Sequence, residues 1–111
     1  MQGVKHDHLK ADYTYFDGIW PALEACLNLL RWGHEEKGYP KFNWETVELD
    51  RYRSAMYRHL ACMSEYQTET GKDWAYARDK ESNFLHLTHN AVNALFMLSI
   101  ALRGIEHDDG I

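Results

Sequence analysis

His86 and His89 stand three residues apart, and Asn93 follows four residues later. At helical spacing all three fall on one face. Two imidazoles so placed can converge on one ligand. Neutral rings suit a divalent metal, and imidazolium ions suit a phosphate. Carboxylates that could complete such a site are Glu24, on a helical segment with Asn28 and Arg31, and Glu35 and Glu36 in the run "HEEKGY". Hard oxygen ligands beside Lys37 match a metal–phosphate pair. Arg51 and Arg58 can clamp a phosphate or a carboxylate. His59 falls on an apolar face with Tyr52, Ala55, Met56 and Met63, where a histidine also serves as a core donor to a carbonyl. No nucleophile elbow, P-loop, dinucleotide fingerprint or HExxH motif is present. The inventory favours metal-activated water over a covalent nucleophile.

These residues must be positioned by helices. Residues 82–102 contain no Asp, Glu, Lys or Arg, yet keep two histidines and three asparagines. On a helical wheel Phe84, Ala91, Leu95, Leu98 and Leu102 share one side, which is the expected main core face. Asp79, Ser82, His86, His89 and Asn93 form a polar arc opposite, running on into Phe96, Met97 and Ile100. Both sides of this helix therefore read as covered. The polar arc then lines a pocket or metal site, forms a satisfied hydrogen-bond network in a core or interface, or is plain surface.

Three helices are expected. The first covers residues 21–32, with Pro21 early and Gly33 as its stop. The second begins after Asn43, as N-cap, and runs to residue 66. The third begins near Asp79 and ends before Gly104. "GHEEKGYPKFN" and "QTETGKDWAYARDK" read as loops. Residues 1–16 are an arm or a short helix. No period-2 run of β-branched residues occurs, so the fold class is all-α. We expect one domain over residues 1–111, a compact bundle of three main helices completed by homo-oligomerisation.

The chain has 111 residues and a net charge of −5, which argues against general nucleic-acid binding. His86, His89 and the asparagines argue against membrane insertion of the last helix. The N-terminus lacks a signal-peptide core. Cys26 and Cys62 read as buried free thiols of a reducing compartment, and a cytoplasmic location is expected, the host cytoplasm if the chain is phage-encoded.

In order, "ALEACLNLLRWGHEEKGYPKFNW", "RYRSAMYRHL" and "DKESNFLHLTHNAVNALFMLSIALRG" resemble the N-terminal domain family of phage-type dATP/dGTP diphosphohydrolases, relatives of the MazG-like all-α nucleoside triphosphate pyrophosphatases. The matching positions are Glu24, then Gly33, Tyr39, Asn43 and Trp44, then Arg58 and His59. Asp79, Glu81 and Ser82 follow, and His86, His89 and Asn93 complete the pattern. Two departures are visible. Gly38 separates Lys37 from Tyr39, and His-x-x-His stands where the wider superfamily has acids. The resemblance implies hydrolysis of a purine deoxynucleoside triphosphate to monophosphate and pyrophosphate with Mg²⁺ or Mn²⁺. On that basis Glu24, Glu36, His86 and His89 are expected to hold the metal, with Glu24, Glu36 and His86 catalytic. Lys37, Arg58 and His59 would neutralise phosphate charge. Asn43, Trp44 and Asn93 would position base or sugar. The competing expectation is a non-enzymatic phage accessory protein that binds a nucleotide or a host protein on the same scaffold.

Overall fold

The computed structural model describes residues 10–109, with side chains through residue 105. Most of residues 1–16 therefore lies outside the described part, which begins with a short 3₁₀ turn at Tyr13–Phe16. The fold is all-α. Its helices are α1 (Trp20–Lys37), α2 (Leu49–Thr70) and α3 (His86–Asp109). Two further 3₁₀ turns lie between them, Asn43–Thr46 and Trp74–Tyr76. No helix among the described residues is long and apolar enough to cross a membrane.

α1 does not stop at Gly33. It runs one turn further and closes at Gly38, whose φ of 72° is the left-handed cap conformation. The Gly38 N–H donates to the carbonyl of His34, and His34 Nδ1 lies 2.8 Å from the Tyr39 carbonyl oxygen. His34 and Lys37 in the last turn suit the negative end of the helix dipole. The run "HEEK", expected in a loop, is thus helical. The two glycines predict opposite responses. A methyl at Gly33 would meet the Tyr39 ring at 3.4 Å, an ordinary contact. Gly33→Ala should therefore stabilise the chain by about 0.5–1 kcal/mol. Gly38→Ala should cost about 1–2 kcal/mol, because its backbone is left-handed. Urea denaturation of both variants checks the pair.

Asn43 does not cap α2. It opens the 3₁₀ turn, and its carbonyl accepts from Thr46 Oγ1. Val47 and Glu48 are extended, so α2 begins at Leu49 with Asp50 in its first turn. It runs past the expected residue 66 to a second left-handed glycine, Gly71. α3 begins seven residues after Asp79, at His86. The cause is local. The Asp79 carboxylate accepts from Ser82 N–H and Ser82 Oγ, and Asn83 takes a left-handed φ of 64°. Arg78 and Leu85 then pair as an antiparallel bridge.

α1 and α2 both pack on α3 and make little contact with each other. Cys26 and Leu29 of α1 meet Val92 of α3, flanked by Trp32, Phe84 and Phe96. Met63 of α2 is the most deeply buried large side chain. Cys26 is buried and free, but Cys62 is free and exposed, contrary to expectation. The larger correction concerns α3. Of its expected core face Phe84 does pack on the core, but the rest is turned outward, with Leu95 47 %, Leu98 56 % and Leu102 49 % exposed. His86, Thr88 and Asn90 are buried instead. The neighbouring helices cover the arc that carries the histidines, because α2 and the 77–85 loop supply polar groups to meet it. Asn90 Nδ2 donates to the Met56 carbonyl, while its Oδ1 is buried without a partner among the described residues.

Candidate functional site: a histidine–aspartate cluster beside a cavity

His59 from α2, Asp79 from the loop and His86 from the start of α3 each present a ligand atom, all within 4.8 Å of one another. Among the described residues this is the one group of three or more such side chains. His59 Nδ1 and His86 Nδ1 are 2.7 Å apart, so one ring donates and the other accepts. His89 stacks on His59 with centroids 4.5 Å apart and planes 17° from parallel. Its Nε2 lies 2.8 Å from Ser82 Oγ and 3.8 Å from Asp79 Oδ2.

The backbone fixes the cluster from three directions. The Asp79 N–H donates to the Phe84 carbonyl, and the Asp79 carbonyl accepts from Asn83 N–H. The His86 N–H donates to the Ala77 carbonyl. Arg78 Nη1 donates to the Asn83 carbonyl and closes the loop. Asp79 and Ser82 therefore reach His89 through a side-chain turn, not through helical phase.

Burial, then the nearby His89 and His86 rings, pushes His59 down to about 4. Burial also lowers His89, against the pull of Asp79. For Asp79 burial acts upward, but its two bonds from Ser82 and the nearby histidines hold the carboxyl below its ordinary value. The folded His59 ring stays neutral to about pH 4, while an unfolded one takes its proton near 6.5. Between those values the unfolded chain binds more protons, so stability falls as pH drops from 6.5 to 4. After solvent screening of a half-buried ring we expect a loss on the order of 1–2 kcal/mol. Melting of chelator-treated protein at pH 7, 5.5 and 4.5 should show it, and a flat profile would contradict it.

Beside the cluster, in the wedge between α1, the 39–47 segment, α2 and α3, lies a cavity of about 840 Å³. That volume is within the range of small-molecule sites, about 300–1,000 Å³. Trp32, Tyr39, Phe42 and Tyr52 give it aromatic walls, and Arg31, Lys41 and Arg51 give it cations. His89 belongs to both cavity and cluster.

The expected site residues separate accordingly. Asn43, Trp44, His89 and Asn93 line the cavity, and His59 and His86 stand in the cluster. Glu24 and Glu36 of α1 are exposed and outside the cluster. Lys37 is paired with Glu81, which raises its pKa. Arg58 is exposed and donates to Ser54 Oγ. Neither Lys37 nor Arg58 lines the cavity. Sequence reasoning placed Asp79 on the polar arc but did not choose it as a ligand. The signal was its spacing to Ser82, a side-chain turn that also ends the loop. Arg31 and Arg51 were visible as cations, but nothing in one sequence tells which cations share a cavity.

Trp44 lines the cavity with its indole already engaged by α3. It stacks on Phe96 at 5.3 Å, with planes 3° from parallel, and the Arg103 guanidinium lies over it at 4.7 Å. Phe96 and Arg103 stand about two helical turns apart on α3, so both project from the same side of that helix. Arg103 is held in turn by Glu45 at 3.2 Å.

A family model described as dATP/dGTP diphosphohydrolase, N-terminal, matches residues 1–110. No curated protein and no solved structure matches the chain. The match spans the α1 segment, the Asn43–Trp44 turn, the Arg58–His59 pair and the loop and helix that build the cluster. This chain belongs to the dATP/dGTP diphosphohydrolase N-terminal family.

Proposed function

We propose that the chain takes part in divalent-ion-dependent hydrolysis of purine deoxynucleoside triphosphates, between the α- and β-phosphates, to monophosphate and pyrophosphate. The family match carries this reading, and the family is defined on an N-terminal domain. The cavity supports it. Arg31, Lys41 and Arg51 are the cations that would face a triphosphate. Trp32, Tyr39 and Tyr52 give a base an apolar wall, and the amides of Asn43 and Asn93 supply donors and acceptors for its edge. Holding the phosphates against fixed cations is the main contribution a protein makes to phosphoryl transfer.

The ions expected for such a reaction, Mg²⁺ and Mn²⁺, prefer oxygen ligands. The cluster offers two imidazole nitrogens and one carboxylate oxygen. Those donors do not match them, so no step is assigned through Mg²⁺ or Mn²⁺ at this cluster.

The second part of the proposal is self-association. The outward arc of α3 carries Leu87, Leu95, Leu98, Leu102 and Ile105, all exposed, over five turns of helix. An apolar stripe of that length suits a second copy of the chain.

The test is incubation of the full chain with dGTP and dATP, each with Mg²⁺, Mn²⁺ or Zn²⁺, following pyrophosphate and monophosphate. Equimolar release of the two products is expected. No turnover with any ion, together with a melting temperature unmoved by nucleotide, would overturn the reading. Nucleotide-dependent stabilisation without turnover would favour the binding-only alternative.

A further inference from the structure

We propose that His59, Asp79 and His86 form the seat of a zinc-class transition-metal ion, selective against magnesium. The proposal does not rest on the hydrolase reading.

The donor set is two imidazoles and one carboxylate. Three protein ligands of this kind with a free position are what open zinc sites use. Ligand atoms around such an ion, with bonds of about 2.0–2.2 Å, lie roughly 3–4 Å apart. The cluster's atoms, all within 4.8 Å, need only close slightly. The His59 and His86 Nδ1 atoms face each other at 2.7 Å and share one proton. An ion would take the place of that proton, the donor ring shifting to its Nε2–H tautomer so that both Nδ1 atoms offer a lone pair, and the nitrogens would spread to about 3.3 Å for tetrahedral bonds.

Second-layer contacts of the kind that orient metal ligands are already in place. Ser82 N–H and Oγ both donate to Asp79 Oδ2, at 2.9 and 3.0 Å. Among the described residues no donor reaches Asp79 Oδ1. Ser82 Oγ is also within 2.8 Å of His89 Nε2, so His89 supports the serine that aims the carboxylate. His86 is 6 % exposed and fixed by its backbone bond to Ala77. One feature works against a cation: His86 opens α3, and the start of a helix is its positive end. The negative charge of the Asp79 carboxylate, within 4.8 Å of both imidazole ligand atoms, opposes that field.

The full chain, stripped with chelator, is titrated separately with Zn²⁺, Co²⁺ and Mg²⁺, with no nucleotide present. Bound metal is counted by elemental analysis after gel filtration, the Co²⁺ spectrum is recorded, and melting is followed. We expect one zinc or cobalt per chain, visible cobalt bands of nitrogen–oxygen ligation, and a rise in melting temperature that Mg²⁺ at the same concentration does not give. His59→Ala should abolish cobalt binding. Asp79→Asn, which keeps the side chain's shape, should do the same in a chain whose circular dichroism is unchanged. Ser82→Ala should weaken binding about 10–100-fold. Glu24→Gln and Glu36→Gln should bind cobalt as the parent does. Undiminished cobalt binding by Asp79→Asn, equal stabilisation by Mg²⁺, or no zinc bound at all would each overturn the proposal. All of these readouts are independent of turnover, so they separate its failure from failure of the hydrolase reading.

Discussion

On the self-association proposed for the outward arc of α3, Leu95→Glu combined with Leu98→Glu is expected to hold the chain as a monomer at concentrations where the parent would assemble. Both side chains are about half exposed on the outward arc of α3. Full burial of a leucine is worth about 1.5–3 kcal/mol, so covering the remaining half is worth about 1 kcal/mol. A two-fold interface uses each patch twice. Four half-leucines then supply on the order of 4 kcal/mol, roughly a thousandfold in dissociation constant. Glutamates add repulsion and desolvation to that loss. Neither residue lines the cavity, so the fold of the single chain should survive. Light scattering during gel filtration reads the result. A parent that is monomeric at every concentration would remove the premise, and an assembled double variant would place the interface elsewhere.

Trp44→Ala is expected to give the largest loss of stability of any single change at the cavity wall. The indole is half-buried and in contact with a ring and a guanidinium, both from α3. Truncation removes the stack, the cation–π contact and the fixed place of Arg103. Large aromatic truncations in cores cost 3–5 kcal/mol, so a half-buried one should cost about 2–4 kcal/mol. That corresponds to a fall of roughly 10–25 °C in melting temperature. Trp44→Phe should lose less than half as much. The contrast with a base-stacking role is measurable. A variant that melts like the parent but needs far more nucleotide for half-maximal rate would make the indole a base platform instead.

The helices were legible because their apolar spacing is strong, and α1 also carries Pro21 at its start and Gly38 at its end, whereas α3 runs through Gly104, its expected stop, to Asp109. Their boundaries were not, for reasons specific to each end. Gly33 reads as a stop, but Tyr39 folds back onto it and the left-handed turn falls at Gly38. Asp79 reads as a helix start, but its own carboxylate ties up Ser82 and forces a loop. The polar arc of α3 was legible as an edge that needs partners. Its meeting with His59 was not, because periodicity within one helix says nothing about a residue 27 positions earlier on another. The same limit explains the leucines. A wheel separates an apolar arc from a polar one, and it does not say which of the two the rest of the same chain covers. Lys37 shows the same limit from another side. A lysine among acids invites a phosphate role, and its spacing does not show that Glu81, 44 positions later, is its partner in the fold.

The unequal thiols equip the chain with its own opening gauge. Cys62 lies in the open on α2, while Cys26 of α1 is buried against α3 with its thiol pKa raised by burial. An alkylating reagent should therefore modify one sulfur promptly and the other only when α1 lifts away from α3. The slow phase, followed by mass spectrometry, would time the parting of the very helices that wall the cavity, with no label or probe added to the sequence.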